Sequence, residues 1–300
     1  MPHRAARGRS AAGYVRLRAG GHLVSGIDTG TEHLLLDTAD GIATVTLNRP
    51  DVKNAVTPEM LDALAVVLAD LDADAGVRAI VLTGAGAAFC AGGDVKAFAE
   101  RGGDVPVGDD GVQDWFDKRA RRQVGVVGRL RSMTTPSIAA LPGAAAGAGL
   151  GLALACDLRV GGPSTLLTTA FIKIGLPGDF GVAWQLRDLI GVGPATRLML
   201  LSDRVGADEA LGLGLLDWLV PDDEVRSTAR EIAGRLAASS AQAIGAMKAN
   251  LRDARHLDLG AAMDAELVRY RACADGDEHK AAVRAFAERG RSTGTTPRRV

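Results

Sequence analysis

The stretch that decides the fold is Ser137-Ile-Ala-Ala-Leu-Pro-Gly-Ala-Ala-Ala-Gly-Ala-Gly-Leu-Gly-Leu-Ala-Leu-Ala-Cys-Asp157. No charged side chain lies between Arg131 and Asp157, although 24% of the chain is charged, so we expect this stretch to be buried. It begins as a short apolar strand over residues 137–141, turns at Pro142-Gly143, and continues through small residues into an apolar helix. A strand, a glycine-rich turn and a helix start direct free backbone N–H groups to one point. Such a point suits an oxygen that carries or develops negative charge.

Two alternative interpretations of this stretch are weaker. A membrane span is disfavoured because the stretch is rich in Gly and Ala, contains Pro142 near its start and lacks anchoring aromatic residues. A dinucleotide-binding loop is disfavoured because Gly147-Ala-Gly149-Leu-Gly151 matches the G-x-G-x-x-G pattern only in part. In addition, no acidic residue about 20 positions further on ends a second strand.

The composition restricts the classes of function. The net charge of −1 argues against nucleic acid as the main partner, and we expect no membrane association. The three cysteines, Cys90, Cys156 and Cys273, have no C-x-x-C spacing, so the sequence indicates neither a disulfide framework nor a structural zinc site. We therefore expect inert core thiols at positions 90 and 156, no metal, and a location in the reducing cytoplasm.

The pattern along the chain predicts four regions. Residues 1–31 contain five arginines among Gly, Ala and Ser, which favours a disordered extension, with an organellar transit peptide as the alternative. Strands alternate with helices over residues 32–220, which predicts an α/β core. Residues 221–292 show only helical periodicity, and residues 293–300 are expected to be a frayed tail.

Two local signals refine the core. Thr57-Pro58 predicts the N-terminus of a helix, with Thr57 as the cap. A second strand, glycine turn and helix start follow at residues 77–98, and there Asp94 is expected chiefly to cap the helix. Trp115 and Phe116, on a charged helix predicted over residues 112–131, either line a pocket or belong to the core.

Four motifs together resemble the enoyl-CoA hydratase/isomerase (crotonase) family over about residues 32–290. The motifs are Leu47-Asn-Arg-Pro50 with Asn54-Ala55, Phe89-Cys-Ala-Gly-Gly-Asp94, Pro136-Ser137 leading to Gly143 and Cys156-Asp157, and Gly175-Leu176 with Gly181. The resemblance implies a spiral of β-β-α units with an all-helical C-terminal region, assembled as a homotrimer or as a hexamer made of two trimers. It also implies an acyl-CoA thioester substrate and no cofactor, since coenzyme A is part of the substrate.

The resemblance also assigns roles to residues. Carried onto this sequence, it makes the backbone amides of Gly93 and Ala148 the two donors to the thioester oxygen, and both lie where a strand gives way to a helix. Backbone groups near Ala91, Gly92 and Asp94 are expected to read the adenine of coenzyme A. The candidates for its phosphates are the basic residues Arg49, Lys53, Lys96 and Arg289.

The sequence departs from the family where its hydratases carry two catalytic glutamates, because those positions are Gly151 and Phe171. Asp179 matches the acid that several double-bond isomerases of the family carry in this loop. An isomerase needs a single base that moves a proton between two carbons, so an enoyl-CoA isomerase with Asp179 as proton shuttle is the favoured prediction. The alternatives are a hydratase with a non-standard acid and base and a non-catalytic acyl-CoA-binding protein. A nicotinamide-dependent reductase is a more distant alternative.

Overall fold

The computed structural model of the chain describes residues 26–100, 102–105 and 111–292, with residues 289–292 described by their backbone alone. The chain divides after Ala237 into two compact units. The strands, all in the first unit, are β1 (Leu34–Ala39), β2 (Ile42–Leu47), β3 (Ala79–Gly84), β4 (Ser137–Leu141), β5 (Ala145–Ala146), β6 (Leu158–Gly161), β7 (Leu166–Thr168), β8 (Val205–Gly206) and β9 (Trp218–Leu219).

The helices of the first unit are α1 (Pro58–Ala73), α2 (Val95–Glu100), α3 (Val112–Gln123), α4 (Arg129–Ser132), α5 (Ala148–Ala155), α6 (Val182–Ile190), α7 (Val192–Leu201), α8 (Ala207–Leu213) and α9 (Val225–Ala237). The second unit contains α10 (Ala241–Asp253), α11 (Leu259–Ala274) and α12 (Asp277–Ser292). The α/β class with a helical C-terminal region is confirmed. None of the helices in the described ranges is both long and apolar enough to cross a bilayer.

The main sheet has the strand order β1-β2-β3-β4-β6-β9, and β5, β7 and β8 form a smaller sheet. Only β1 runs antiparallel to its neighbour in the main sheet; the other described pairs are parallel. Every residue of β3 and β4 is buried, as expected for parallel strands covered on both faces. Because the charge-free stretch begins with β4, its glycine turn lies at the carboxyl end of a central strand.

Helix α1 begins where the sequence predicts. The Thr57 hydroxyl accepts a hydrogen bond from the Met60 amide at 3.2 Å, and Pro58 occupies the first helical position. The apolar face of α1, which includes Leu64 and Leu68, lies in the larger core cluster. The predicted cap is therefore confirmed.

A π-helical turn at Val124–Gly128 joins α3 to α4, so the charged helix predicted over residues 112–131 is continuous but changes its winding. At this turn the helix approaches α1 closely, because a Cβ placed on Gly125 would lie 2.8 Å from the Cβ of Ala65. Only glycine fits this approach without a shift of the neighbouring helix.

The last residues of the predicted extension make hydrogen bonds to β1. The Ile27 amide donates to the Leu36 carbonyl at 3.1 Å, and the buried Thr29 hydroxyl donates to the Leu34 carbonyl at 2.6 Å. Residues 26–31 are therefore anchored to β1 by backbone and side-chain hydrogen bonds. The rest of the predicted extension, residues 1–25, and the predicted frayed tail, residues 293–300, lie outside the described residues.

The boundary expected at residue 221 also differs from the structure. Helix α9 buries Val225, Ala229 and Ile232 in a second core cluster with Val81 of β3 and Ile138 of β4. This helix therefore belongs to the α/β unit, and the purely helical unit begins only after Ala237. The sequence showed that the helix is amphipathic but not which surface its apolar face covers.

Candidate functional site

A cavity of about 650 Å³ lies in the first unit, and both glycine turns form part of its wall. Four aromatic side chains also line it, those of Phe98, Trp115, Phe171 and Phe180. The two carboxylates in the described part of its lining are those of Asp104 and Asp179. The cavity thus combines apolar walls with a small number of polar groups, which is typical of small-molecule sites.

Two backbone amides in the cavity wall have unused hydrogen-bonding capacity. The amides of Gly93 and Ala148 both belong to lining residues, and neither donates a hydrogen bond to any residue that the structure describes. Ala148 is the first residue of α5, so its N–H lies at the positive end of that helix. Together these amides can hold an oxygen that gains negative charge.

The two amides lie close together because the glycine turns that carry them touch. A Cβ placed on Gly92 would lie 2.8 Å from the Ala146 carbonyl oxygen and 3.4 Å from the Ala148 nitrogen. Gly92 also has a φ of +95°, in the left-handed region that side chains rarely adopt. Glycine is thus required at position 92 for both conformation and space.

Asp179 presents its carboxylate to this cavity from the loop before α6. Its Oδ1 accepts hydrogen bonds from Gln123 Nε2 at 2.6 Å and from the Phe180 amide at 2.9 Å. Its Oδ2 forms an ion pair with the Arg119 guanidinium. The side chain of Asp179 is only 12% exposed, so these contacts fix the orientation of a nearly buried group.

Arg119 joins the two carboxylates of the cavity. Its Nη1 lies 2.8 Å from Asp104 Oδ2, while its other terminal nitrogen contacts Asp179. The guanidinium carbon also lies 5.0 Å from the centre of the Trp115 ring, which is a cation–π distance. Sequence reasoning missed Arg119, Gln123 and Asp104. The available signal was the i, i+4, i+8 spacing of positions 115, 119 and 123 on one helix.

The two positions that lack the family glutamates have different surroundings. A Cβ on Gly151 would lie only 2.7 Å from the Cβ of Phe180, so this space is already occupied. Phe171 lines the cavity and is only 6% exposed. Neither position carries a group that can move a proton.

A buried glutamine ties α5 to the loop that carries Asp179. Gln185 is 1% exposed, and its Nε2 donates to the carbonyls of Gly151 at 3.2 Å and Phe180 at 3.0 Å. Sequence reasoning missed this residue as well, since a glutamine within a predicted helix gives no sign of such contacts. It connects the helix that bears one cavity amide to the loop that bears the carboxylate.

The predicted coenzyme A contacts separate into two groups. Arg49 is engaged within the protein, because its guanidinium donates to the Ala55 carbonyl at 2.7 Å and to Asp94 Oδ2 at 3.1 Å. Asp94 Oδ1 in turn accepts from the Ala97 amide at 3.2 Å, which is the helix cap expected from the sequence.

Of the other candidates, Ala91 and Gly92 line the cavity, whereas Lys53 and Lys96 are exposed outside its lining. The side chain of Arg289 lies outside the described residues. Trp115 and Phe116 also differ, because Trp115 lines the cavity whereas Phe116 is 54% exposed and does not.

Cys90 lies beneath the first glycine turn and is completely buried. Burial raises the pKa of its thiol to about 12, although the Gly92 amide, which donates to its Sγ, acts in the opposite direction. Cys156 is buried as well. The predicted location of both thiols in the core is confirmed. The raised pKa of Cys90 makes it a poor nucleophile at neutral pH.

Comparisons with known proteins identify one family. The sequence model described as Enoyl-CoA hydratase/isomerase matches residues 37–294. The probable enoyl-CoA hydratase EchA14 of Mycobacterium tuberculosis is 37% identical over 73% of this chain and 81% of its own length. The 1,2-epoxyphenylacetyl-CoA isomerase of Escherichia coli is 32% identical over 85% of this chain and 95% of its own length.

Among solved structures, a putative enoyl-CoA hydratase from Streptomyces coelicolor A3(2) superimposes with a TM-score of 0.80. It is 39% identical, and the match covers 86% of this chain and 92% of that one. The names of these relatives include both hydratase and isomerase, so they agree on the family and differ on the reaction.

Proposed function

This chain belongs to the enoyl-CoA hydratase/isomerase family and has the crotonase fold that its motifs predicted, and we propose that it is an enoyl-CoA double-bond isomerase. The observation that carries the proposal is the position of Asp179, whose carboxylate lines the same cavity as the free amides of Gly93 and Ala148. The substrate class is an acyl-CoA thioester, as in the family.

In the proposed reaction, the thioester oxygen of a 3-enoyl-CoA accepts hydrogen bonds from the amides of Gly93 and Ala148. Each such donor contributes about 3 kcal/mol to stabilising the charge that develops on this oxygen. Asp179 removes a proton from C2 to give a dienolate and returns a proton to C4, which yields the conjugated 2-enoyl-CoA. Oδ2 is the better base atom, because Oδ1 already accepts two hydrogen bonds, whereas among the described residues Oδ2 contacts only Arg119.

The isomerase is favoured over the usual hydratase because of Gly151 and Phe171. Hydration needs a group that deprotonates water and a group that delivers a proton, and neither residue can do either. Isomerisation needs only one such group, and Asp179 supplies it. The aromatic side chains in the wall also suit a reaction from which water is excluded.

Asp104 favours a second candidate function. It is the other carboxylate in the described lining, and Arg119 links it to Asp179. Two carboxylates in one cavity could act as the base and the acid of a hydratase with a non-standard pair. Several relatives are named as hydratases, so the experiment below also tests for hydration.

The deciding experiment compares wild type with Asp179→Asn on a 3-enoyl-CoA and on crotonyl-CoA, following the conjugated thioester by absorbance. We expect wild type to form the conjugated product from the 3-enoyl-CoA, and Asp179→Asn to lose at least about 100-fold in kcat. Asp114→Asn is the matched control, because Asp114 is an exposed acid on α3 paired with Lys118 outside the cavity.

Each other outcome identifies an alternative. Wild-type turnover by Asp179→Asn refutes the isomerase mechanism. Loss of crotonyl-CoA conjugation without isomerisation identifies a hydratase. Tight binding of acyl-CoA with no exchange of the C2 proton in heavy water identifies a non-catalytic binding protein.

For coenzyme A itself, we propose that Ala91, Gly92 and Asp94 contact the adenine through their backbone and that Lys53, Lys96 and Arg289 meet the phosphates. The exposure of both lysines supports this part of the proposal. Arg49 is withdrawn from the phosphate set because its guanidinium already bonds Ala55 and Asp94. Lys53→Ala and Lys96→Ala should raise KM for an acyl-CoA more than for the same acyl group on a truncated pantetheine thioester.

The proposed assembly is a homotrimer or a hexamer, in a cytoplasmic location. The second unit exposes a set of large apolar side chains that a neighbouring subunit could cover, among them Met247, Leu251, Leu259, Met263, Leu267, Tyr270 and Phe286. The buried thiols of Cys90 and Cys156 form no disulfide, which suits a reducing compartment. Light scattering on the purified protein distinguishes monomer, trimer and hexamer.

A further inference from the structure

The cluster of Asp104, Arg119 and Asp179 contains more charged groups than proton transfer by one acid requires. Arg119 lies between two carboxylates, at 2.8 Å from Asp104 Oδ2 and in an ion pair with Asp179. The side chains are only 16%, 27% and 12% exposed for Asp104, Arg119 and Asp179, so water screens them incompletely. Their arrangement therefore affects the energy of each protonation state of Asp179.

We propose that Arg119 is a positioning residue that holds Asp179 as the ionised base, and that Asp104 is the counter-ion that Arg119 keeps while Asp179 carries the substrate proton. The inference rests on the proposed function, in which Asp179 takes a proton from C2 and returns one to C4. It adds Arg119 and Asp104, whose effect on the reaction is transmitted through Asp179.

The geometry supports the first half of the proposal. Gln123 Nε2 and the Phe180 amide both donate to Oδ1, while the Arg119 guanidinium contacts Oδ2, so both carboxylate oxygens of Asp179 are held in place. Gln123 and Arg119 are one helical turn apart on α3, so one rigid element supplies both contacts. The orientation of the reacting oxygen is thus fixed before substrate binds.

The charges support the second half. When Asp179 accepts the C2 proton it becomes neutral, and without a second carboxylate the partly buried guanidinium would lose its counter-ion. Asp104 remains to pair with it, which lowers the cost of the state in which Asp179 holds the proton. The Trp115 ring at 5.0 Å gives the guanidinium a further favourable contact in both states.

In the described part of the cavity wall, the other charged groups are Arg122 and Lys173. The guanidinium of Arg122 is held by Asp62, with hydrogen bonds of 2.8 Å and 2.9 Å. Lys173 is exposed, which leaves its charge screened by water. The cluster around Arg119 therefore controls the local field at Asp179 more strongly than these two residues.

The test is the dependence of kcat/KM on pH in the full-length enzyme, with a 3-enoyl-CoA as substrate. Arg119→Met removes a positive neighbour of the base, so the acid limb should move to higher pH. Asp104→Asn removes a negative charge from the other side of the same guanidinium, so the limb should move to lower pH. Asp104→Asn should also lower kcat by about 10-fold, because protonated Asp179 then leaves Arg119 without a counter-ion.

Two further variants separate this role from a structural one. Lys118→Met is the matched control: it removes a positive charge from the neighbouring position of α3, but Lys118 is 52% exposed and pairs with Asp114. Its acid limb should stay in place. Arg119→Lys keeps the positive charge but not the forked guanidinium geometry. Its acid limb should therefore lie closer to that of wild type than the limb of Arg119→Met does, while its kcat should remain below that of wild type.

The outcomes are decisive in each direction. Opposite displacements of the limb in Arg119→Met and Asp104→Asn support the proposal, whereas unmoved limbs or displacements of the same sign overturn it. If Arg119→Met does not fold, Asp104→Asn and Arg119→Lys decide alone, and an unmoved limb in Asp104→Asn overturns the proposal. Retention of turnover by Asp179→Asn would instead overturn the proposed function, so the two failures are distinguishable.

Discussion

Replacing Gly151 by alanine should disturb both stability and catalysis, because the methyl group enters space that the Asp179 loop occupies. The new Cβ would lie 2.7 Å from Phe180 Cβ, 3.0 Å from the Phe180 carbonyl oxygen and 3.2 Å from Val182 Cγ2. Two of these atoms belong to Phe180, whose Cβ and carbonyl cannot escape by a rotamer change. The loop itself must move.

The magnitude follows from two opposing terms. Alanine in place of glycine within a helix gains about 1 kcal/mol in helix propensity. Overpacking in a dense core costs about 1–3 kcal/mol. We therefore expect Gly151→Ala to be less stable than wild type by about 1 kcal/mol despite its better propensity.

The catalytic effect should be larger than the effect on stability. Carbon atoms in ordinary contact are about 3.5–4.0 Å apart, so Phe180 must move by roughly 1 Å. Asp179 is bonded directly to Phe180, so a shift of the Phe180 backbone should displace the Asp179 backbone by a similar distance. A misplacement of about 1 Å can cost 100-fold in rate, so we expect kcat/KM to fall by about 10–100-fold.

Gly234→Ala is the matched control for this substitution. Gly234 lies within α9, and a Cβ placed there would meet no atom within 4 Å. This variant should be more stable than wild type by up to about 1 kcal/mol and fully active. The assays are the denaturation midpoint and kcat/KM of both variants. If Gly151→Ala were as stable and as active as Gly234→Ala, the space assigned to Phe180 would be refuted.

Three further predictions concern separate contacts. Gln185→Met should lower the stability by about 1–3 kcal/mol, measured by denaturation, because two buried carbonyls lose their donor; an unchanged midpoint would contradict these hydrogen bonds. Thr57→Ala should cost about 1 kcal/mol through the lost cap, whereas Thr57→Ser should retain most of it. Burial raises the pKa of Cys90 from 9.0 to about 12, so its contribution to stability is full below pH 9 and is lost as the pH rises towards 12. Cys90→Ala should flatten that part of the stability–pH curve, and a curve identical to wild type would contradict the assignment.

The parts of the site that the sequence predicted are those set by local chain geometry. The family resemblance named the amides of Gly93 and Ala148, and the sequence agrees because each lies where a strand, a glycine turn and a helix start follow one another within a few residues. The same holds for the Thr57 cap, whose donor is three residues away. Local signals of this kind can be read without knowing the tertiary fold.

The parts that the sequence did not predict depend on contacts between distant residues. Arg119 and Asp179 are 60 positions apart, so no spacing rule connects them. Arg49 shows the converse, since its charge suggested a phosphate, whereas the fold pairs it with Asp94, 45 positions further on. The charge of a residue indicates which groups it can bind, but the sequence alone does not show which of them the fold places beside it.

The π-helical turn at Val124–Gly128 sets the rotational phase of the helix that carries Arg119. Such a turn holds an additional residue, so the segments on either side differ in phase by about 100° from an uninterrupted α-helix. Leu130 and Met133, after the turn, are anchored in the core, while Arg119 and Gln123, before it, reach the Asp179 carboxylate. Deleting one residue between positions 124 and 128 would rotate one segment relative to the other. The number of residues in this turn is therefore as constrained as the identity of any side chain in the cavity.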